Sequence, residues 1–130
     1  MDYDSFIGTV QQHGEYAGSG EAVSATRATL ATLGERIDEG EAEDLAAQLP
    51  AEVGEHLTGG DHGEQFDFET FLERVADRAE HDAVAEHPED ATNAVVRTLQ
   101  EALGRETEIA DVLSQLPQDE GYGGLFESVA

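Results

Sequence analysis

The chain has 130 residues, of which 30 are acidic and 6 basic, for a formal net charge of −24; every basic residue is an arginine and none a lysine. It has no cysteine, which excludes a disulfide framework, a thiol nucleophile and a thiolate metal site. Self-repulsion on this scale penalises the compact state in dilute buffer, but at about 1 M salt the Debye length is roughly 3 Å, so the composition predicts a halophilic protein that needs high salt and works in a salt-rich cytoplasm such as that of haloarchaea.

Tyr3, Phe6, Ile7 and Val10 recur at helical spacing and predict a first helix over about Tyr3 to Gln12, with Asp2 or Asp4 as cap. A glycine-containing loop, His13 to Gly20, leads to a second helix with Val23, Thr26, Leu30, Leu33 and Ile37 on one face. A third begins after Asp38, which stands at capping-box spacing from Glu41, and buries Ala42, Leu45, Ala46 and Leu49. Pro50 ends it, because the residue before a proline is pushed out of the helical region. Val53 and Leu57 belong to a short closing segment, and Thr58 to Gln65 read as a glycine-rich linker within residues 58–66.

From Asp67 the pattern starts again. Phe68, Phe71, Leu72 and Val75 repeat the first stripe 65 positions later, and Asp67-Phe68-Glu69-Thr70-Phe71-Leu72 matches Asp2-Tyr3-Asp4-Ser5-Phe6-Ile7. Thr98-Leu99 corresponds to Thr29-Leu30, and Asp111-Val112-Leu113-Ser114-Gln115-Leu116-Pro117 to Asp44-Leu45-Ala46-Ala47-Gln48-Leu49-Pro50. Three matched blocks in one order point to an internal duplication. The second copy's long helix uses Ala91, Val95, Leu99 and Leu103, with Pro88 in its first turn ahead of Glu89 and Asp90. Its third helix uses Ile109, Val112, Leu113 and Leu116 up to Pro117, and its closing segment has Leu125, Phe126 and Val129, interrupted upstream by Gly121, Gly123 and Gly124.

The expected fold is therefore all-α: a duplicated three-to-four-helix unit, with repeat 1 over residues 1–57, a linker over 58–66 and repeat 2 over 67–130. A half of about 65 residues is marginal alone, so the repeats are expected to pack with pseudo-two-fold symmetry into one cooperative domain. Acidic residues interleave with apolar ones along the whole chain, unlike the blocks of disordered acidic tails. Met1 to Val10 has no basic leader region, and no apolar run approaches the roughly 18 residues of a membrane span. A cytoplasmic protein without membrane association is expected.

The run Ala25-Thr26-Arg27-Ala28-Thr29-Leu30, then Leu33-Gly34-Glu35-Arg36-Ile37, then Glu39-Gly40-Glu41-Ala42 through Pro50, resembles the uncharacterised bacterial and archaeal family known as domain of unknown function 2267. The likeness covers both halves, and the Asp-x-x-x-Gln-Leu-Pro ending is its most specific piece. The second half departs after Pro117, where Gly121 to Gly124 replace a more helical continuation. The resemblance implies an all-helical duplicated fold and brings no reaction, substrate or catalytic residue with it.

Gly63 and Glu69 have the spacing of an EF-hand glycine and final glutamate, but Thr58, Gly60 and His62 fall where oxygen ligands belong. None of His13, His56, His62, His81 and His87 forms a His-x-x-x-His pair. They read as exposed loop residues, with His56, Asp61 and His62 the set that the linker brings nearest together. Gly18-Ser19-Gly20 and Gly121-Tyr122-Gly123-Gly124 lack the lysine and strand-to-helix context of a phosphate loop.

A helix-turn-helix built on Leu33-Gly34 and Ala42 to Leu49 would turn Glu41, Glu43 and Asp44 toward phosphates, so nucleic acid is not an expected partner. The scattered arginines Arg27, Arg36, Arg74, Arg78, Arg97 and Arg105 read as structural, with Arg27 paired to Asp44 and Arg97 to Asp111 between helices. Asp44 with Gln48, and Asp111 with Gln115, stand where side chains on a helix meet.

No catalytic, cofactor-binding or metal-ligating residue is nominated, and no cofactor is implied. The expected function is a noncatalytic protein-interaction or self-association module using apolar surface at the junction of the repeats. The alternative is a small-ligand binder or enzyme with a pocket between them.

Overall fold

A computed structural model describes residues 1–103 together with Leu116, Gly121 and Tyr122. Among the described residues there are seven helices and no strand: α1 Tyr3–Gly14, α2 Ser19–Arg36, α3 Glu39–Ala46, α4 Ala51–Thr58, α5 Phe68–Arg78, α6 Asp82–Ala85 and α7 Pro88–Leu103.

The first helix starts where Asp2 accepts a hydrogen bond from the Ser5 amide at 2.8 Å, and it buries Phe6, Ile7 and Val10 as the spacing required. It runs two residues beyond Gln12 and stops at Glu15, which adopts a left-handed conformation (φ 54°). Gly14 is needed there, because a Cβ on it would lie 2.2 Å from the Tyr16 ring.

The 18 residues of α2 make a rod of about 27 Å through the middle of the molecule. The expected single apolar face is too narrow a description. Ala22, Ser24, Ala25, Thr26, Ala28, Thr29, Leu30, Thr32, Leu33, Gly34 and Arg36 are all buried, whereas Val23 is only partly so. Small residues allow neighbours over most of its circumference, and Thr26 and Thr32 satisfy their hydroxyls on the carbonyls of Ala22 and Ala28, both at 2.8 Å.

The third helix buries Ala42 and Leu45, but Asp38 makes no side-chain capping bond, so the capping-box reading fails at its cap. It also ends at Ala46, ahead of Pro50, and Pro50 instead opens α4: its carbonyl accepts the amides of Val53 and Gly54 at 2.9 Å. Helix α4 packs closely on α2, and a Cβ at Gly34 would stand 2.3 Å from the Leu57 carbonyl oxygen.

The segment expected as a linker is fastened to the end of α2. Gly63, at φ +73°, donates its amide to Ile37 at 2.9 Å, the Glu64 amide donates to Glu35 at 2.8 Å, and Phe66 is buried. Helix α5 then begins like α1, with Asp67 accepting from the Thr70 amide at 2.9 Å, and buries Phe71 and Val75. The short α6 occupies part of the connection to α7, whose first residue is Pro88 and whose buried stripe includes Ala91, Val95 and Leu99.

Helix α1 rests on α7 and α2, and α5 rests on α2 and α7. One apolar cluster runs from Phe6 through Leu30, Leu57, Phe71 and Leu99 to Leu116 and Tyr122. The expected third helix of the second half, Pro117 and the closing residues Leu125, Phe126 and Val129 lie outside the described residues, as do Arg105 and Asp111.

Candidate functional site

A partly buried cluster of charged side chains lies where α2 meets α5. Thr32, Glu35 and Arg36 occupy the last turns of α2, and Arg74 and Arg78 stand one turn apart on α5. Arg78 grips Glu35 in a two-pronged pair, Nη1 to Oε1 and Nη2 to Oε2, both at 2.7 Å, and also donates to the Thr32 hydroxyl at 2.8 Å. Arg74 reaches the same carboxylate at 3.1 Å and Glu64 at 3.5 Å, while its guanidinium lies 4.0 Å from the Phe66 ring centroid.

Charge-assisted pairs of this geometry are among the stronger hydrogen bonds in proteins. The hydrogen bond from Arg78 holds the Glu35 carboxyl below its usual range; burial opposes this, and the charges of Arg78 and Arg74 reinforce it. Glu35 is thus a carboxylate at neutral pH, unsuited to act as a general acid.

Two grooves flank this pair and share Glu35 and Arg78 as their common wall. One, of about 250 Å³, is completed by Ala31, Glu55, His56, Gly59 and Gly60. The other, of about 360 Å³, is completed by Asp61, Glu64, Arg74 and Asp77. His56 is half-buried, and burial pushes its imidazole below the usual value; Glu55 opposes the shift and Arg27 adds to it. It is therefore a neutral donor and acceptor on the groove wall at neutral pH.

Elsewhere, Asp38, Glu39, Asp61 and His62 line an open depression of about 460 Å³ at the start of α3. A further cleft of about 530 Å³ is lined by Glu15, Tyr16, Glu21, Glu86, His87 and Asp90, among others. The Tyr16 hydroxyl is buried without a hydrogen-bond partner, and its pKa is pushed up to about 12 by burial first and then by Asp90 and Glu21. Among the described residues, no three His, Asp or Glu side chains are grouped as a metal site.

Of the five histidines expected as exposed loop residues, His81 and His87 are exposed outside the helices, whereas His13, His56 and His62 are partly buried. His13 and His56 sit in the last turns of α1 and α4, and His13 meets Glu101 of α7 at 2.9 Å. His62 bonds the Gly34 carbonyl at 2.8 Å, and His81 lies against Gly20. Arg27 pairs with Glu80, just past the end of α5, and not with Asp44, which is exposed. The Gln48 amide donates to the Asp44 backbone carbonyl at 3.1 Å, so the two side chains do not pair.

The Glu35, Arg74 and Arg78 constellation was not singled out in the sequence. Its trace there is two of only six arginines placed four apart on an amphipathic stretch. Among the described residues, no helix is long and apolar enough to cross a membrane. What the fold and site define is a compact protein, all-helical among its described residues, whose central helix is tied to α5 by partly buried arginine pairs. The chain belongs to the family described as uncharacterized conserved protein (DUF2267), whose profile matches residues 3–121. No curated protein matches it.

Proposed function

We propose that this chain is a noncatalytic binding module of a salt-adapted cytoplasm, engaging a protein partner or a second copy of itself at the polar grooves between α2, α4 and α5. The observation that carries this reading is the closure of the Glu35–Arg74–Arg78 network upon itself. Its carboxylate is ionised and its guanidinium groups are committed, which suits a rigid recognition surface better than proton transfer. Met1 is the large hydrophobic side chain left exposed among the described residues, so recognition there is polar, in place of the apolar junction surface expected from the sequence.

The module is built from two repeats, residues 1–57 and 67–130, related by a pseudo-two-fold axis. Two features support this. Asp2 and Asp67 cap α1 and α5 by the same bond to the third residue on, and α1 lies on α7 while α5 lies on α2. The net charge of −24 and the absence of lysine support adaptation to a haloarchaeal interior.

Light scattering and crosslinking in multimolar salt test the binding reading, with wild type compared to Glu64→Arg and Asp77→Arg. Assembly that both charge reversals abolish is expected. A wild-type chain that stays monomeric and crosslinks to nothing overturns it.

The small-ligand alternative has one observation of its own, the neutral half-buried His56 beside Arg78 in a groove of about 250 Å³. A thermal-shift screen of small acids and amines, with loss of any hit in His56→Ala, separates this reading from the first.

A further inference from the structure

The polar grooves are fastened from behind by a residue far along the chain. The Phe66 carbonyl accepts two hydrogen bonds, from Arg36 Nε at 3.1 Å and from the Tyr122 hydroxyl at 2.7 Å. Tyr122 is 1% exposed, packs 5.4 Å from the Phe68 ring centroid and meets Phe71 edge-on at 6.1 Å. The Arg36 guanidinium lies 5.5 Å from its ring centroid. Phe66 in turn carries the Arg74 guanidinium 4.0 Å from its own ring, and Arg74 bonds Glu35 at 3.1 Å. Contacts therefore run without a break from Tyr122 through Phe66 and Arg74 to Glu35.

The way Tyr122 enters this position is specific. Gly121 has φ +99°, and a Cβ there would lie 3.1 Å from the Cβ of Phe68. Glycine takes such a φ without steric cost, and the pocket of Phe68 and Phe71 receives the Tyr122 ring.

We propose that Tyr122 is a latch: its docking fixes Phe66 and thereby the position of Arg74, which makes it a positioning residue for the polar grooves. Its use in recognition rests on the binding function proposed above, whereas its geometry does not. Opening the latch withdraws the support under Arg74 and loosens its hold on Glu35, so the groove shared by Arg74, Glu64 and Asp77 changes shape without any change in the residues that line it.

The test is arginine side-chain NMR on the full chain in multimolar salt, reading the shift and hydrogen exchange of the guanidinium N–H groups. In Tyr122→Phe, which removes one hydroxyl and keeps the ring, the Arg74 Nη1–H that bonds Glu35 is expected to exchange roughly fivefold faster, the factor an ordinary net hydrogen bond supplies. Arg27, paired outside the network, is expected to stay unchanged. Phe66→Leu keeps an apolar seat for Tyr122 and withdraws the ring from Arg74, and it should move the Arg74 signal in the same way. If Arg36 alone responds while Arg74 keeps its wild-type shift and exchange in both variants, the latch is overturned. Because no ligand enters this measurement, failure of the binding reading leaves a shifted Arg74, and failure of the latch leaves an unshifted one.

Discussion

The Glu35 carboxylate takes three guanidinium contacts from α5, two from Arg78 and one from Arg74, with its side chain 15% exposed. Removing its charge leaves two neighbouring, partly hydrated cations, with Glu64 beside Arg74 left to offset them. Glu35→Gln should cost about 1–2 kcal/mol, below the value for a fully buried pair because the arginines are partly hydrated; denaturant unfolding in multimolar salt measures it. The same carboxyl sets a pH dependence. Its folded pKa lies below the ordinary value of 4.5, so its stabilisation is complete above that value and is lost as pH falls through the lowered one. Acid titration of the unfolding midpoint should show this loss in wild type and its attenuation in Glu35→Gln. Arg27 offers a contrast. Its partner is Glu80 and both side chains are substantially exposed, at 45% and 64%, so Arg27→Ala should change stability by no more than about 0.5 kcal/mol.

At the scale of elements, glycine separates helix interior from helix crossing. Gly8 is exposed on α1 with nothing near the position of a Cβ. Gly8→Ala should stabilise by about 0.5–1 kcal/mol through helix propensity. Gly34 sits under the Leu57 carbonyl of α4; backbone cannot turn aside as a side chain can, so Gly34→Ala should cost about 2–3 kcal/mol. Thermal melts of the two variants side by side check both signs. The starts of α1 and α5 were legible because their caps and stripes are local: Asp2 with Phe6, Ile7 and Val10, and Asp67 with Phe71 and Val75. The start of α4 was not, since Pro50 reads equally well as a stop for α3 and as a start for α4.

For the whole molecule, α1 packs on α7 as well as α2, and α2 on α5 and α7 as well as α1 and α4, so residues 1–60 lack part of the packing of their two longest helices. That fragment should be largely unfolded even in multimolar salt, as circular dichroism would show, while the full chain is folded. The charge of −24 predicts that the full chain loses stability steadily as salt is withdrawn, most steeply once the Debye length exceeds roughly 10 Å. An unfolding midpoint independent of salt would remove the halophilic reading. The candidate site belongs to this scale as well. Glu35 is 39 positions from Arg74 and 43 from Arg78, and Tyr122 is 56 from Phe66; no local periodicity reports on separations of that size.

The sequence by itself determined the helical class, the apolar stripes of α1, α5 and α7, and the capping aspartates, because each depends on residues within one or two turns. It also determined the family, through runs such as Ala25 to Leu30 and Asp44 to Pro50. Tertiary structure alone decided that α2 is buried over most of its circumference, that Arg27 faces Glu80, that the segment after α4 is clasped to α2, and that Glu35 collects two arginines. Those outcomes depend on which helices cross and at what distance. Crossing is settled by small residues such as Gly34 and Gly54, whose missing side chains say that something comes close but not what.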